Sequence, residues 1–219
     1  PSSVINAVVI ESIGTGNGEI LYPLITRCML NNNDNQRIIN NHNVKMSERE
    51  KEYHIELINS FNDKQLSKIM VMKMAASSMA TIQKFTGHDV KIGDSKIEYT
   101  ASLINDFCEN GRKIIVFSEY IETAKVLSKK VEEHLIGLIT GETPPDSRTS
   151  FLTGLEYSQG GVIVMTDVGG EGLDMQFVDA IVNHDLPWNP MILEQRIGRL
   201  DRIGRDERNA EIHNIILDD

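Results

Sequence analysis

Cysteine is scarce in this 219-residue chain: only Cys28 and Cys108 occur, 80 positions apart, and neither sits in a motif. That scarcity argues against a disulfide-built scaffold and points to a reducing compartment. No apolar run approaches the roughly 20 residues that cross a bilayer, and no basic stretch followed by an apolar core opens the sequence. A cytoplasmic protein with no membrane partner is the expectation. The six histidines lack Cys-x-x-Cys or His-x-x-x-His spacing, so no metal site is expected. Positive charge is also short, with 22 Lys and Arg against 32 Asp and Glu for a formal charge of -10. This argues against a uniformly basic nucleic-acid clamp, although phosphate contact needs only a local patch. A phosphate-cradling loop is missing too. Gly14-Thr15-Gly16-Asn17-Gly18 is followed by Glu19 where the P-loop pattern requires lysine, and no Asp-Glu pair follows an apolar strand as a magnesium motif would.

What is present suits a globular domain, with 40% apolar and 25% charged residues. Residues 1–44 read as an N-terminal extension and linker. From Asn31 to Asn43, seven of thirteen residues are asparagine, which favours turns and local side-chain hydrogen bonds over regular structure. Residues 45–219 read as the main domain, with a helical lead-in over 46–110 and an α/β core over 111–219. Ser47 and Glu50 form a capping box that opens one helix. A second helix is expected from Lys64 to Phe85, in which Met70, Met72, Met74 and Met79 serve as adaptable packing. Ser95 and Glu98 repeat the box, and Ile97, Ala101, Ile104 and Cys108 mark one buried helix face.

Beyond Gly111 the pattern alternates. Apolar runs at Ile114–Phe117, Leu135–Ile139, Val162–Met165, Ala180–Val182 and Ile212–Leu217 are separated by helical stretches at 121–134, 147–156 and around Arg196. Such alternation predicts a mostly parallel sheet covered on both faces, with ligands gathering at the carboxyl ends of its strands. Ser118, Thr140, Thr166 and Asp185 stand at those ends. His184 reads as a structural strand-end residue.

The most informative stretch is 166–205, TDVGGEGLDMQFVDAIVNHDLPWNPMILEQRIGRLDRIGR. A turn with Gly169, Gly170 and Gly172, closed by Asp174, follows a β-branched run, and glycine lets a backbone come close to a ligand. Taken alone it is as readily a plain turn. Farther on, Arg196, Arg199 and Arg202 recur at intervals of three. At about 100° per residue they fan over roughly 120° of a helix, with Leu193, Ile197 and Leu200 opposite. One side is expected to pack and the other to present three positive charges. Glu194, Asp201, Asp206 and Glu207 could pair with them, which would make the stripe an ordinary solvated face. Trp188, beside two prolines, reads as a packing anchor in preference to a base-stacking residue.

This stretch resembles motifs V and VI of superfamily two helicases, and within them the Swi/Snf type, through Trp188-Asn189-Pro190, Gln195, Gly198, Arg199 and Arg202-Ile203-Gly204. Leu200-Asp201 departs from the usual remodeler pattern, which has a histidine before the last arginine. The pair looks more like the bacterial branch that includes the RNA-polymerase-associated protein RapA, so nucleosome remodelling is a poor fit. The resemblance covers about residues 45–219. It implies a RecA-like three-layer sandwich preceded by a helical extension, in other words the second lobe of an ATP-dependent translocase on double-stranded DNA.

The same resemblance implies roles. Arg199 and Arg202 would be arginine fingers. Gly170, Gly172, Asp174 and Gln195 would line the nucleotide, with Asp174 a ribose contact. Ser118, Thr140, Gly141, Arg148 and Thr166 would meet the nucleic-acid backbone. ATP and Mg²⁺ would be held mainly by a first lobe that the chain looks to lack, leaving it inactive alone. The expected partners are double-stranded DNA, that first lobe, and RNA polymerase or another DNA-bound complex. Two alternatives stand beside this reading: a stand-alone or degenerate lobe serving as a protein-interaction module, and part of an RNA helicase, against which the Trp188 context speaks.

Overall fold

The computed structural model describes residues 37–60, 65–87, 91–170, 172–200 and 210–218. In order, its elements are β1 (Arg37–Lys45), α1 (Glu48–Ser60), α2 (Gln65–Ser77), α3 (Met79–Thr86), α4 (Ser95–Glu109), β2 (Lys113–Ser118), α5 (Ile121–Lys130), a 3₁₀ turn (Glu132–His134), β3 (Leu135–Ile139), α6 (Pro145–Tyr157), β4 (Gly161–Thr166), β5 (Ala180–Asn183), α7 (Pro190–Leu200) and β6 (Ala210–Asp218).

All six strands pair in parallel, in the order β1-β6-β5-β2-β4-β3. Alternate residues of one strand point to opposite faces, so each central strand feeds two cores. Ile114, Val116, Val162, Val164, Ala180 and Val182 pack on one face with Ile97, Ala101 and Ile104 of α4 and Ala124 and Leu127 of α5. Ile115, Phe117, Ile163, Met165 and Ile181 pack on the other with Leu152 and Leu155 of α6 and Leu200 of α7. The result is the doubly covered parallel sheet that the alternation predicts and the three-layer, RecA-like arrangement that the resemblance implies.

The asparagine-rich segment departs from expectation. Residues 37–43, read as turn, lie in β1, which pairs with β6 in nine-residue register from Arg37↔Ala210 to Lys45↔Asp218. The boundary drawn at residue 44 therefore falls inside a strand. Composition misleads here because a parallel partner satisfies the backbone whatever the side chains are, while Ile39 and Val44 still reach apolar clusters.

In the helical lead-in, the Ser47–Glu50 box forms as read. Ser47 N–H donates to Glu50 Oε2 at 2.7 Å, and Glu50 N–H donates to Ser47 Oγ at 3.3 Å. The second box is displaced by one residue, since Asp94 caps α4 by accepting from Ile97 N–H. Ser95 instead gives its N–H and its hydroxyl to Glu50. One buried carboxylate thus serves the amino ends of two helices, and these bonds hold its pKa below the usual range against the desolvation that would raise it.

The expected Lys64–Phe85 helix breaks between α2 and α3, where Ser78 adopts an extended conformation and its hydroxyl accepts from Thr81 N–H. Met74 and Met79 pack as anticipated. Met70 and Met72 do not, being about half exposed.

Candidate functional site

β4 delivers the chain to the glycine turn at the carboxyl end of the sheet, and each glycine there has its own reason. A side chain at Gly169 would put a Cβ 2.8 Å from the Ile139 carbonyl oxygen, so the turn lies directly on the end of β3. At Gly170 a Cβ would meet Met165 Sδ at 2.8 Å and Arg199 Nη1 at 3.1 Å. Gly172 has φ +78° with open space around it, so the left-handed backbone is what it supplies. The Gly170 N–H closes the turn on the Thr166 carbonyl at 3.0 Å.

Two arginines grip this turn from different helices. Arg199 of α7 donates through Nη1 to the Gly170 carbonyl, and its own carbonyl accepts from Met175 N–H at 3.3 Å. Arg148 of α6 donates through Nε to Thr143 O at 2.7 Å, through Nη1 to Gly169 O at 3.2 Å and through Nη2 to Gly141 O at 3.2 Å. Arg148 thereby ties the β3–α6 connection, with Thr140 and Gly141, to the turn. Thr140 is buried, and its Oγ1 accepts from Glu142 N–H.

Arg196 overturns the picture of three presented charges, because it is 2% exposed. Its guanidinium binds Asp167 through Nε at 2.7 Å and Nη2 at 2.8 Å, and donates from Nη1 to Asn183 Oδ1 and the Asp185 carbonyl, both at 2.8 Å. Its Cζ lies 4.8 Å from the Phe117 ring centroid. The signal was present in the spacing: Arg196 follows Leu193 by three and precedes Leu200 by four, inside the apolar stripe. Its partner was missed, for Asp167 was not among the acids considered. Arg202 and the acids after it lie outside the described residues.

A second cluster gathers at the ends of β2 and β5, around Asp185. Its carboxylate accepts from Ser77 Oγ and Ser118 Oγ at 2.8 Å and from Glu119 N–H at 2.9 Å, and Lys96 Nζ stands 3.3 Å away. Burial pushes its pKa up, but Lys96, the neighbouring imidazole and these donors outweigh that and hold it below the usual carboxylate range. Ser118, expected on a nucleic-acid track, is fully buried and directs its hydroxyl to Asp185. Lys96 is 6% exposed. Nothing in the residues around Lys96 foretold this, since its partner is 89 positions away.

His184 is buried beside this cluster, with Nε2 at 2.9 Å from the Ser77 carbonyl and Nδ1 at 2.9 Å from Thr100 Oγ1. A carbonyl only accepts, so Nε2 carries a proton. Burial first, then the Lys96 charge, pushes its pKa down to about 4.

Of the remaining candidates Thr166 is 5% exposed, and the others lie in the open. Asp174 and Gln195 are exposed, and Gln176 Nε2 is 3.4 Å from Asp174 Oδ2. Trp188, read as a packing anchor, is instead 44% exposed, with Lys73 Nζ 5.4 Å from its ring centroid. Gly172 thus offers open backbone, Asp174 an exposed carboxylate, and Arg199 a cation held on the same turn.

Known proteins share the sequence pattern and the fold of this lobe. The family profile described as helicase conserved C-terminal domain matches residues 95–204. YqhH of Bacillus subtilis (strain 168), named as an uncharacterized ATP-dependent helicase, is 36% identical over 104 residues, which is 47% of this chain and 18% of that protein. The RNA polymerase-associated protein RapA of Vibrio campbellii (strain ATCC BAA-1116) is 50% identical over 58 residues, 26% of this chain and 6% of RapA. The matches thus span less than a fifth of either relative.

Among solved structures, the C-terminal part of the Fun30 ATPase domain superposes with TM-score 0.69 at 12% identity, covering 84% of this chain and 86% of that one. The Sulfolobus solfataricus SWI2/SNF2 ATPase core in complex with dsDNA gives 0.61 at 20%, covering 83% of this chain and 41% of that one. At such identities the likeness speaks for the fold.

Proposed function

The chain belongs to the family of helicase conserved C-terminal domains, and we propose from this that it serves as the second lobe of a Swi/Snf-type translocase driven by ATP along double-stranded DNA. The observation that carries the reading is the contact of Arg199 with Gly170. It makes the arginine helix and the glycine turn a single rim at the carboxyl end of the sheet.

ATP bound against this rim supplies the free energy of phosphoanhydride hydrolysis, with Mg²⁺ and the triphosphate held mainly by a first lobe. Gly172 and Asp174 offer backbone and carboxylate to the nucleoside part, and Gln195 faces the opposing lobe. Arg199, and Arg202 after it, bring permanent positive charge to where negative charge develops on the transferring phosphoryl group. Arginine suits this because it stays ionised and presents a planar fork of donors. Withdrawing an N–H from the Gly170 carbonyl to reach a phosphate exchanges a neutral acceptor for a charged one.

DNA is favoured over RNA because Trp188-Asn189-Pro190 stands before the arginine helix and because the Sulfolobus neighbour is described with duplex DNA. Thr140, Gly141, Arg148 and Thr166 form the proposed track, with Arg148 acting mainly through the backbone it braces. RNA polymerase is a candidate partner by similarity to RapA.

The test uses a protein carrying both lobes. Arg199→Ala lowers its duplex-stimulated ATPase by about a hundredfold or more, and duplex DNA stimulates the parent more than RNA does. Normal turnover in the variant would end the assignment.

A further inference from the structure

One row of the sheet crosses from polar to apolar beneath the arginine helix. Strand register aligns Asn41 of β1 with Asn214 of β6, Asn214 with Asn183 of β5, Asn183 with Phe117 of β2, and Phe117 with Met165 of β4. The three asparagines are hydrogen-bonded in series. Asn183 Nδ2 donates to Asn214 Oδ1 at 2.9 Å, and Asn214 Nδ2 donates to Asn41 Oδ1 at 2.8 Å. The series begins at Arg196, whose Nη1 donates to Asn183 Oδ1. Asn183 and Asn214 are buried, while Asn41 is exposed at the sheet edge.

The direction of this ladder is dictated. A guanidinium has donors and no acceptor, so Asn183 must turn its oxygen to Arg196 and its amide nitrogen away. Asn214 must then offer its oxygen to Asn183 and its nitrogen to β1, where an acceptor is required. Asn41 Oδ1 is that acceptor. If it is removed, the buried Asn214 nitrogen loses its partner. Neither inner amide can rotate to compensate without setting an N–H₂ group against another donor.

We infer that β1 is a positioning element for the glycine-turn rim, acting through the Asn41–Asn214–Asn183 ladder on Arg196 and through Arg196 on Asp167, the first residue of the turn. This strand, like β6, lies outside the 95–204 stretch that the family profile matches. The weight of the rim in nucleotide chemistry rests on the function proposed above. The coupling itself does not.

The experiment uses the 219-residue chain and reads the Arg196 Nε–H proton by NMR, a buried donor to Asp167. Asn41→Val should shift that resonance and speed its exchange by about three- to tenfold, the range set by one net hydrogen bond. Asn41→Asp, which keeps the acceptor, should restore both. Asn40→Val alters the other face of the same strand and should leave both in place. An unmoved resonance in Asn41→Val overturns the proposal. So does an equal change in Asn40→Val, or an Asn41→Asp variant that fails to rescue while β1 loses amide protection as it does in Asn41→Val. No nucleotide enters this measurement, so its failure counts against the ladder alone, whereas unchanged ATPase in Arg199→Ala counts against the rim's assigned role.

Discussion

The Arg196 guanidinium and the Asp167 carboxylate face one another through two parallel hydrogen bonds of 2.7 and 2.8 Å, joining the middle of α7 to the start of the glycine turn. The arginine side chain is 2% exposed and the aspartate 28%. The pair is thus closed to water from the helix side and open at the turn. Such a bidentate contact fixes orientation as well as distance.

Removing either partner should be expensive for different reasons. Arg196→Ala leaves Asn183 Oδ1 and the Asp185 carbonyl without donors and opens space over Phe117. A loss of roughly 3–5 kcal/mol is expected, the range for breaking a buried ion pair from one side. Arg196→Lys keeps the charge but not the fork, and should recover only part of that loss. Urea unfolding of the two variants against the parent checks the order. Equal stability of all three would mean the pair is not what holds α7 to the turn.

The turn's glycines should separate by mechanism. Gly169→Ala forces a methyl against the backbone of Ile139 and Thr140, which cannot yield as a side chain can, and should disrupt the turn. Gly172→Ala meets no neighbour and should cost only about 1–2 kcal/mol for a left-handed alanine. Gly170→Ala presses on the ends of Met165 and Arg199. It should therefore move the Arg199 guanidinium while sparing stability more than Gly169→Ala does. Thermal unfolding, with the Arg199 Nε–H resonance recorded beside it, distinguishes the three.

Glu50→Gln should reveal the double cap. Glutamine keeps the shape but lacks the charge that Ser47 N–H, Ser95 N–H and the Ser95 hydroxyl all address, and one of its two terminal atoms no longer accepts. A loss of about 1–2 kcal/mol is expected. Faster amide exchange should appear at the amino ends of both α1 and α4. Exchange confined to α1 would limit Glu50 to its own helix.

Legibility followed the range of the signal. The apolar runs of β2 to β6 and the stripe of α4 depend on residues a few positions apart, and they stand where the spacing put them. The resemblance implies roles for Arg199 and Gly170 at one nucleotide, and the two residues are in contact. The features unread at Asn41, Lys96 and Arg196 depend on partners far off in the chain. Asn41 meets Asn214 across 173 positions. A run of asparagines names no strand until β6 lies beside it. Lys96 is buried because Asp185 comes to it, and no local pattern distinguishes it from a surface lysine. Arg196 was visible as a member of the stripe, but its burial required Asp167, 29 positions earlier, to be brought back by β4.

Acid should unfold the lobe in stages, and His184 sets the first. Its folded pKa is about 4 against an ordinary value of 6.5. The unfolded chain therefore binds more protons between those values, and the stability from a neutral His184 is complete above 6.5 and lost as pH falls toward 4. The shift converts to about 3 kcal/mol at 1.36 kcal/mol per unit. His42 and His213 are pushed down mainly by burial as well, so they add to the same slope. Asp185 acts lower. Its folded pKa is depressed, so its contribution holds above the unfolded value of 3.8 and fades only below it. His184→Gln can still donate to Ser77 O, and it does not titrate. Denaturant unfolding from pH 7 to pH 4 should show a shallower fall for this variant than for the parent. Equal slopes would mean that His184 is protonated in the folded state, contrary to a pKa pushed down by burial.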